Sequence, residues 1–177
     1  ATNGGSSGAR LHLRAGGSAA VNKSIVLNDG AFSSISDRGT FAQADGALIA
    51  TLGSNAIAVS AAGNVTTRYL LTTGDVDLSS TAGSITALAT LGGGTQSVAN
   101  VSATAKVGTV SVLNGLQTRG KASFDAAELK LGQAIVGGVL RADGGSIVFQ
   151  GNVEAGGLQV GSKATPAGSF AMAAPSP

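Results

Sequence analysis

One histidine, His12, sits in Arg10-Leu-His-Leu-Arg14 and alternates with Leu11 and Leu13. A hydrolytic triad or a zinc centre needs partners that one His and no Cys do not supply locally. His12 therefore reads as part of an exposed strand face. Among the nine Asp and Glu residues, Asp75 and Asp77 form a pair at strand spacing. Alternate residues of a strand point to the same side, so both carboxylates share a face. Such a pair can hold a cation weakly or, in a cleft, work as acid and base. Its neighbours are Ser and Thr rather than further acids and bases, and a solvated face is the expected outcome.

Gly115-Leu-Gln-Thr-Arg-Gly-Lys-Ala122 has Gly115, Gly120 and Lys121 at the spacing of a phosphate-binding loop. That loop also needs a Ser or Thr hydroxyl after the lysine and a helix beyond it. Ala122 holds the hydroxyl position, so a turn between strands is predicted. Asn22-Lys-Ser24, Asn64-Val-Thr66 and Asn100-Val-Ser102 fit the N-glycosylation pattern. Asn at solenoid corners, in left-handed backbone or stacked on itself, accounts for them better. Thr66-Thr67 and Thr72-Thr73 raise an ice-binding surface, which needs Thr-X-Thr in register at every coil, and no such ladder is legible. No catalytic, cofactor-binding or metal site is expected, and the reading is non-enzymatic.

The elements that carry these residues follow from a phrase said twice. Ala56-Ile-Ala-Val-Ser-Ala-Ala-Gly-Asn-Val65 returns as Asp75-Val-Asp-Leu-Ser-Ser-Thr-Ala-Gly-Ser-Ile85. Each copy is an alternating strand, a small-residue corner with glycine, and a second strand. The offset of roughly 19 residues is that of one coil of a solenoid. Arg10–Val21 is a third version. The chain divides into a Gly/Ser-rich segment over 1–9, a β-solenoid over 10–160 and a Pro/Ala-rich extended tail or inter-subunit linker over 161–177. About eight coils of roughly 20 residues are predicted.

Alternation places Leu11, Leu13, Ile57, Val59, Val76, Leu78, Ile85, Val110 and Val112 in the core, with Phe124, Leu129, Leu131, Ile147, Phe149, Leu158 and Val160 in the later coils. Phe32 and Ile35 are expected inside, and Val107 continues the alternation of Val101 and Val110. Asp45-Gly46 is a turn signal, and Gly92-Gly-Gly94 a wider corner or loop. Phe124–Leu131 contains good helix formers, but the period of two at Leu129 and Leu131 and the flanking glycines favour a strand. Phe170 and Met172, in the tail, are candidates for an inter-subunit contact.

Composition agrees with a narrow, aliphatic interior. Apolar residues are 43% but aromatics only 3%, so Val, Leu, Ile and Ala must fill the core, and 28 Gly imply many tight corners. Charged residues, at 11%, are less than half the usual share. The few bases are scattered rather than clustered, which argues against nucleic acid as a partner. Low charge with high hydrophobicity also excludes a disordered chain. No window approaches the ~18 apolar residues of a membrane helix. The opening Ala1-Thr-Asn-Gly-Gly-Ser-Ser-Gly8 reads as that of a mature product or excised fragment.

Gly74-Asp-Val-Asp-Leu-Ser-Ser-Thr-Ala-Gly-Ser-Ile-Thr-Ala87, Leu11-His-Leu-Arg-Ala-Gly-Gly17 and Leu140-Arg-Ala-Asp-Gly-Gly-Ser-Ile147 resemble repeats of the filamentous-haemagglutinin-like bacterial exoproteins. The likeness spans about residues 10–160. It implies a right-handed parallel β-helix and an extracellular or cell-surface location, often reached by two-partner secretion. The implied role is adhesin, biofilm-matrix or filament protein. The family's amino-terminal secretion domain is not recognisable, so the chain resembles a piece of repeat shaft. Expected partners are the protein itself, end to end or laterally, and glycans or a host surface. A monomeric glycan- or ice-binding solenoid and a carbohydrate-active β-helix enzyme are the alternatives.

Overall fold

A computed structural model describes residues 9–88, 97–161 and 169–172. Within them every regular element is a strand and every pairing is parallel. Three coils open the stack. They are β1 (Ala9–Ala15), β2 (Ala19–Val21) and β3 (Ile25–Leu27); β4 (Gly30–Ser36), β5 (Phe41–Gln43) and β6 (Leu48–Thr51); β7 (Ile57–Ala61), β8 (Val65–Thr67) and β9 (Tyr69–Leu71). The fourth contributes β10 (Val76–Ser80) and β11 (Ile85–Ala87). Beyond it strands run through the corners: β12 (Val101–Val112), β13 (Leu116–Thr118), β14 (Ala122–Leu131), β15 (Ala134–Phe149), β16 (Val153–Val160) and β17 (Ser169–Met172). The Gly92-Gly-Gly94 corner and the 1–8 segment lie outside the described residues.

The strands stack on three faces of a β-solenoid. On the first, Leu11, Phe32, Ile57, Val76, Val101, Ala122, Leu140 and Leu158 lie directly over one another. On the second, the equivalent column runs Ala19, Phe41, Val65, Ile85, Val110, Leu129, Ile147 and Phe170. The third carries β3, β6 and β9, and farther along β13 with the first parts of β15 and β16. Eight rungs enclose about seven full turns, and at ~4.8 Å per coil the stack is roughly 35 Å long. The doubled phrase aligns as its spacing demands. Val76 pairs with Ile57, 19 residues earlier, and Ile85 with Val65, 20 earlier, because the second corner holds one residue more.

The interior is a filled aliphatic column. Ile57, Val59, Val76, Leu78, Ile85, Val110, Val112, Phe124, Leu129, Leu131, Ile147 and Phe149 are buried. Leu11, Leu13 and Val160 are half-buried against the same cluster. Leu158 corrects its predicted place. It continues the inward column below Leu140, yet stays 53% exposed on the last described rung. Large and small residues alternate along a column, as where Phe124 lies between Ala103 and Ala142. That is how a narrow core reaches close packing without aromatics on every rung.

Local readings need three further corrections. Ile35 points outward, whereas Ser34 and Ser36 face the core, because Phe32 sets the parity of β4 and a strand cannot bury adjacent residues on one face. Val107 is 67% exposed, since the ladder shifts register between Ala105 and Thr109 and the corner turns its side chain out. Among the described residues no non-Gly residue has positive φ, so the corner residues Asn22, Asn64 and Asn100 are not left-handed. Asn64 Oδ1 instead accepts from the Ser84 N–H at 2.9 Å, and Asn100 Oδ1 from the Lys121 N–H at 2.9 Å, tying each corner to the next coil. Glycine is required where corners nest: an added Cβ on Gly83 would lie 2.6 Å from backbone atoms of Asn64 and Gly63. Phe124–Leu131 lies within the strand β14, not a helix. Part of the expected tail, Ser169–Met172, is the strand β17 against Ser146–Phe149.

Candidate functional site

Outward positions of the first face form a column of eight: His12, Ser33, Ala58, Asp77, Ser102, Ser123, Arg141 and Gln159. Parallel pairing without slippage puts them one coil apart, ~4.8 Å. Two shallow grooves lie along this face. One, of about 370 Å³, is lined by Ser33, Ala58, Ser60, Asp77, Ser79, Ser102 and Thr104 among others. The other, of about 350 Å³, is lined by Lys121, Ala122, Ser123, Val139, Arg141 and Gln159.

Asp77 is exposed among hydroxyls in the first groove. Its companion Asp75 accepts a 2.8 Å hydrogen bond from Asn100 Nδ2. His12 is exposed on β1, and its Nδ1 lies 2.7 Å from Ser33 Oγ. It is six rungs from Arg141 and three from Asp77, so no acid and base face each other across the groove. Among the described residues no three His, Cys, Asp or Glu side chains gather to hold a metal ion. Gly115 has φ 107° and is followed by the short strand β13, a bend at Arg119-Gly120 and the strand β14. A phosphate loop needs a helix at that point, and a strand is there instead.

On the second face the outward column is Ala20, Ala42, Thr66, Thr86, Ser111, Lys130, Val148 and Ala171. Thr67 faces the core and is buried. Two threonines in register do not make an ice-binding ladder. Beside this column Glu128 receives Lys130 Nζ at 3.1 Å and Thr109 Oγ1 at 3.1 Å, which together hold its carboxyl below the ordinary range. Arg14 is likewise raised by its hydrogen bond and charge attraction to Asp37, at 3.0 Å. Met172 is 67% exposed, and the side chain of Phe170 lies outside the described residues.

Two arrangements escaped sequence reading. Gln43 is buried; its Nε2 donates to the carbonyls of Ala47 at 2.8 Å and Tyr69 at 2.9 Å, and its Oε1 accepts from the Arg68 N–H at 2.9 Å. A lone Gln carries no periodic signal. Asp143 is only 6% exposed, and its Oδ2 accepts from Arg141 Nε at 2.6 Å. Both belong to Leu140-Arg-Ala-Asp143, where a spacing of two on one strand face was the available clue. No described helix is long and apolar enough to cross a membrane. In comparisons with known proteins, no family model, no curated protein and no solved structure matches the chain.

Proposed function

We propose that this chain is an extracellular structural and adhesive protein, the shaft or self-assembling subunit of a bacterial surface fibre or biofilm matrix. The observation that carries the reading is the first face: eight outward rungs in strict register, mostly hydroxyl, amide or small, over a continuous aliphatic core. Repetition of that kind builds a long, stiff surface. Support also comes from the low charge, 11% of residues, and from exposed Val26, Leu52 and Tyr69, which offer apolar contact for lateral packing. The repeat phrases resembling the filamentous-haemagglutinin-like exoproteins point the same way.

The two grooves favour a second reading, a glycan-binding module working as a monomer. The readings separate in solution. A structural subunit forms polymers as concentration rises, seen by electron microscopy and light scattering. A monomeric module keeps the scattering of a single short rod.

A further inference from the structure

We infer that the groove around Lys121 and Arg141 binds a carboxylate-bearing saccharide lying along the solenoid axis. The inference rests on the adhesive reading above and names its ligand class. Lys121 and Arg141 come from neighbouring coils and line one depression with Ser123, Val139 and Gln159. Lys121 is exposed, and no carboxylate is paired with its ammonium among the described residues. Arg141 donates from Nε to the buried Asp143, which fixes the plane of the guanidinium. Its terminal nitrogens remain for a ligand, and a held guanidinium fork suits a carboxylate. A carboxylate buried to this degree needs such a partner, so Asp143 is a positioning residue for Arg141.

The rest of the groove selects for sugar. Ser123 and Gln159 flank Arg141 at one coil above and below, supplying a hydroxyl and an amide for ring hydroxyls. Val139, exposed beside them, gives an apolar wall for a pyranose C–H face. The ~4.8 Å rise per coil is about the length of one sugar unit in an extended chain, so successive rings meet successive rungs. Strand addition by an extended peptide is closed here, because β14 and β15 are paired on both sides. The volume, about 350 Å³, is that of a small-ligand site. Asp125, two residues beyond Ser123 on β14, and Asp77, two rungs from Ser123 and three from Arg141, confine the positive region to Lys121 and Arg141.

The test is titration calorimetry of the full chain with tetragalacturonate, its methyl-esterified form and monomeric galacturonate. Saturable binding of the tetramer is expected, at least tenfold tighter than either other probe. Lys121→Gln and Arg141→Gln should each weaken it five- to tenfold with unchanged circular dichroism, while Lys23→Gln, far along the rod, leaves it unaltered. Asp143→Asn should weaken binding less than Arg141→Gln, because the guanidinium stays but is no longer held. No saturable binding at 10 mM tetramer, or equal binding by Lys121→Gln and Arg141→Gln, overturns the site. Equal affinity for monomer and tetramer overturns the saccharide-chain assignment and leaves a simple anion site. Polymer formation is scored separately: fibres without binding remove this site alone, and binding without fibres removes the structural-subunit reading alone.

Discussion

Truncating Phe124 to alanine tests the packing logic of the solenoid most sharply. The ring is fully buried, and its neighbours in the inward column, one coil above and below, are Ala103 and Ala142. Neither methyl can reach into the space that a lost phenyl leaves, and the paired strands hold the coils apart at ~4.8 Å. The void therefore stays open, placing the cost toward the upper part of the ~3–5 kcal/mol range for such truncations. With a urea dependence of ~2 kcal/mol per molar, a loss of ~4 kcal/mol lowers the unfolding midpoint by about 2 M. Asp125→Ala, on the outward side of the same strand, should shift it by no more than ~0.5 kcal/mol. Equilibrium urea unfolding followed by circular dichroism reads both variants. If Phe124→Ala costs under ~1 kcal/mol, or Asp125→Ala costs more than Phe124→Ala, the facing of β14 and the alternation of large and small residues are refuted.

Three further outcomes follow from single residues. Gly83→Ala forces a Cβ to within 2.6 Å of the Asn64 and Gly63 backbone and should cost ~1–3 kcal/mol, whereas Gly16→Ala, with no atom within 4 Å, should leave thermal unfolding unchanged. Ser34→Ala removes a buried hydroxyl that has no hydrogen-bond partner and should raise stability by about 1 kcal/mol; a fall in melting temperature would contradict its inward facing. Glu128 has a depressed folded-state pKa, caused first by Lys130 and then by Thr109. Its contribution is present above the unfolded glutamate value of ~4.3 and is lost as pH falls through the lower folded value. Carboxyl NMR titration should place its midpoint below ordinary glutamates, and Lys130→Ala should return it toward them.

Much of the architecture was legible because solenoid coils repeat their pattern. The 19-residue offset of the doubled phrase is the register of β7 on β10, and period two separates Val76 and Leu78 from Asp75 and Asp77. What escaped reading lies where local pattern and neighbouring coils disagree. Ile35 is the more apolar residue, but Phe32 fixes the parity of β4 and turns Ser34 inward. Val107 kept the alternation in sequence and lost it at a register shift. Leu158 has the right parity, yet on the last described rung of the first face it pairs only with Leu140 and stays 53% exposed. The groove was hidden for another reason. Lys121, Arg141 and Gln159 are 18 to 20 residues apart, and only coil stacking brings them together.

The most direct test of the structural-subunit proposal is cryo-electron microscopy of the purified chain across a concentration series. The proposal predicts continuous fibres whose axial repeat is ~4.8 Å, with the first-face column exposed along their length. Isolated short rods at every concentration would contradict it.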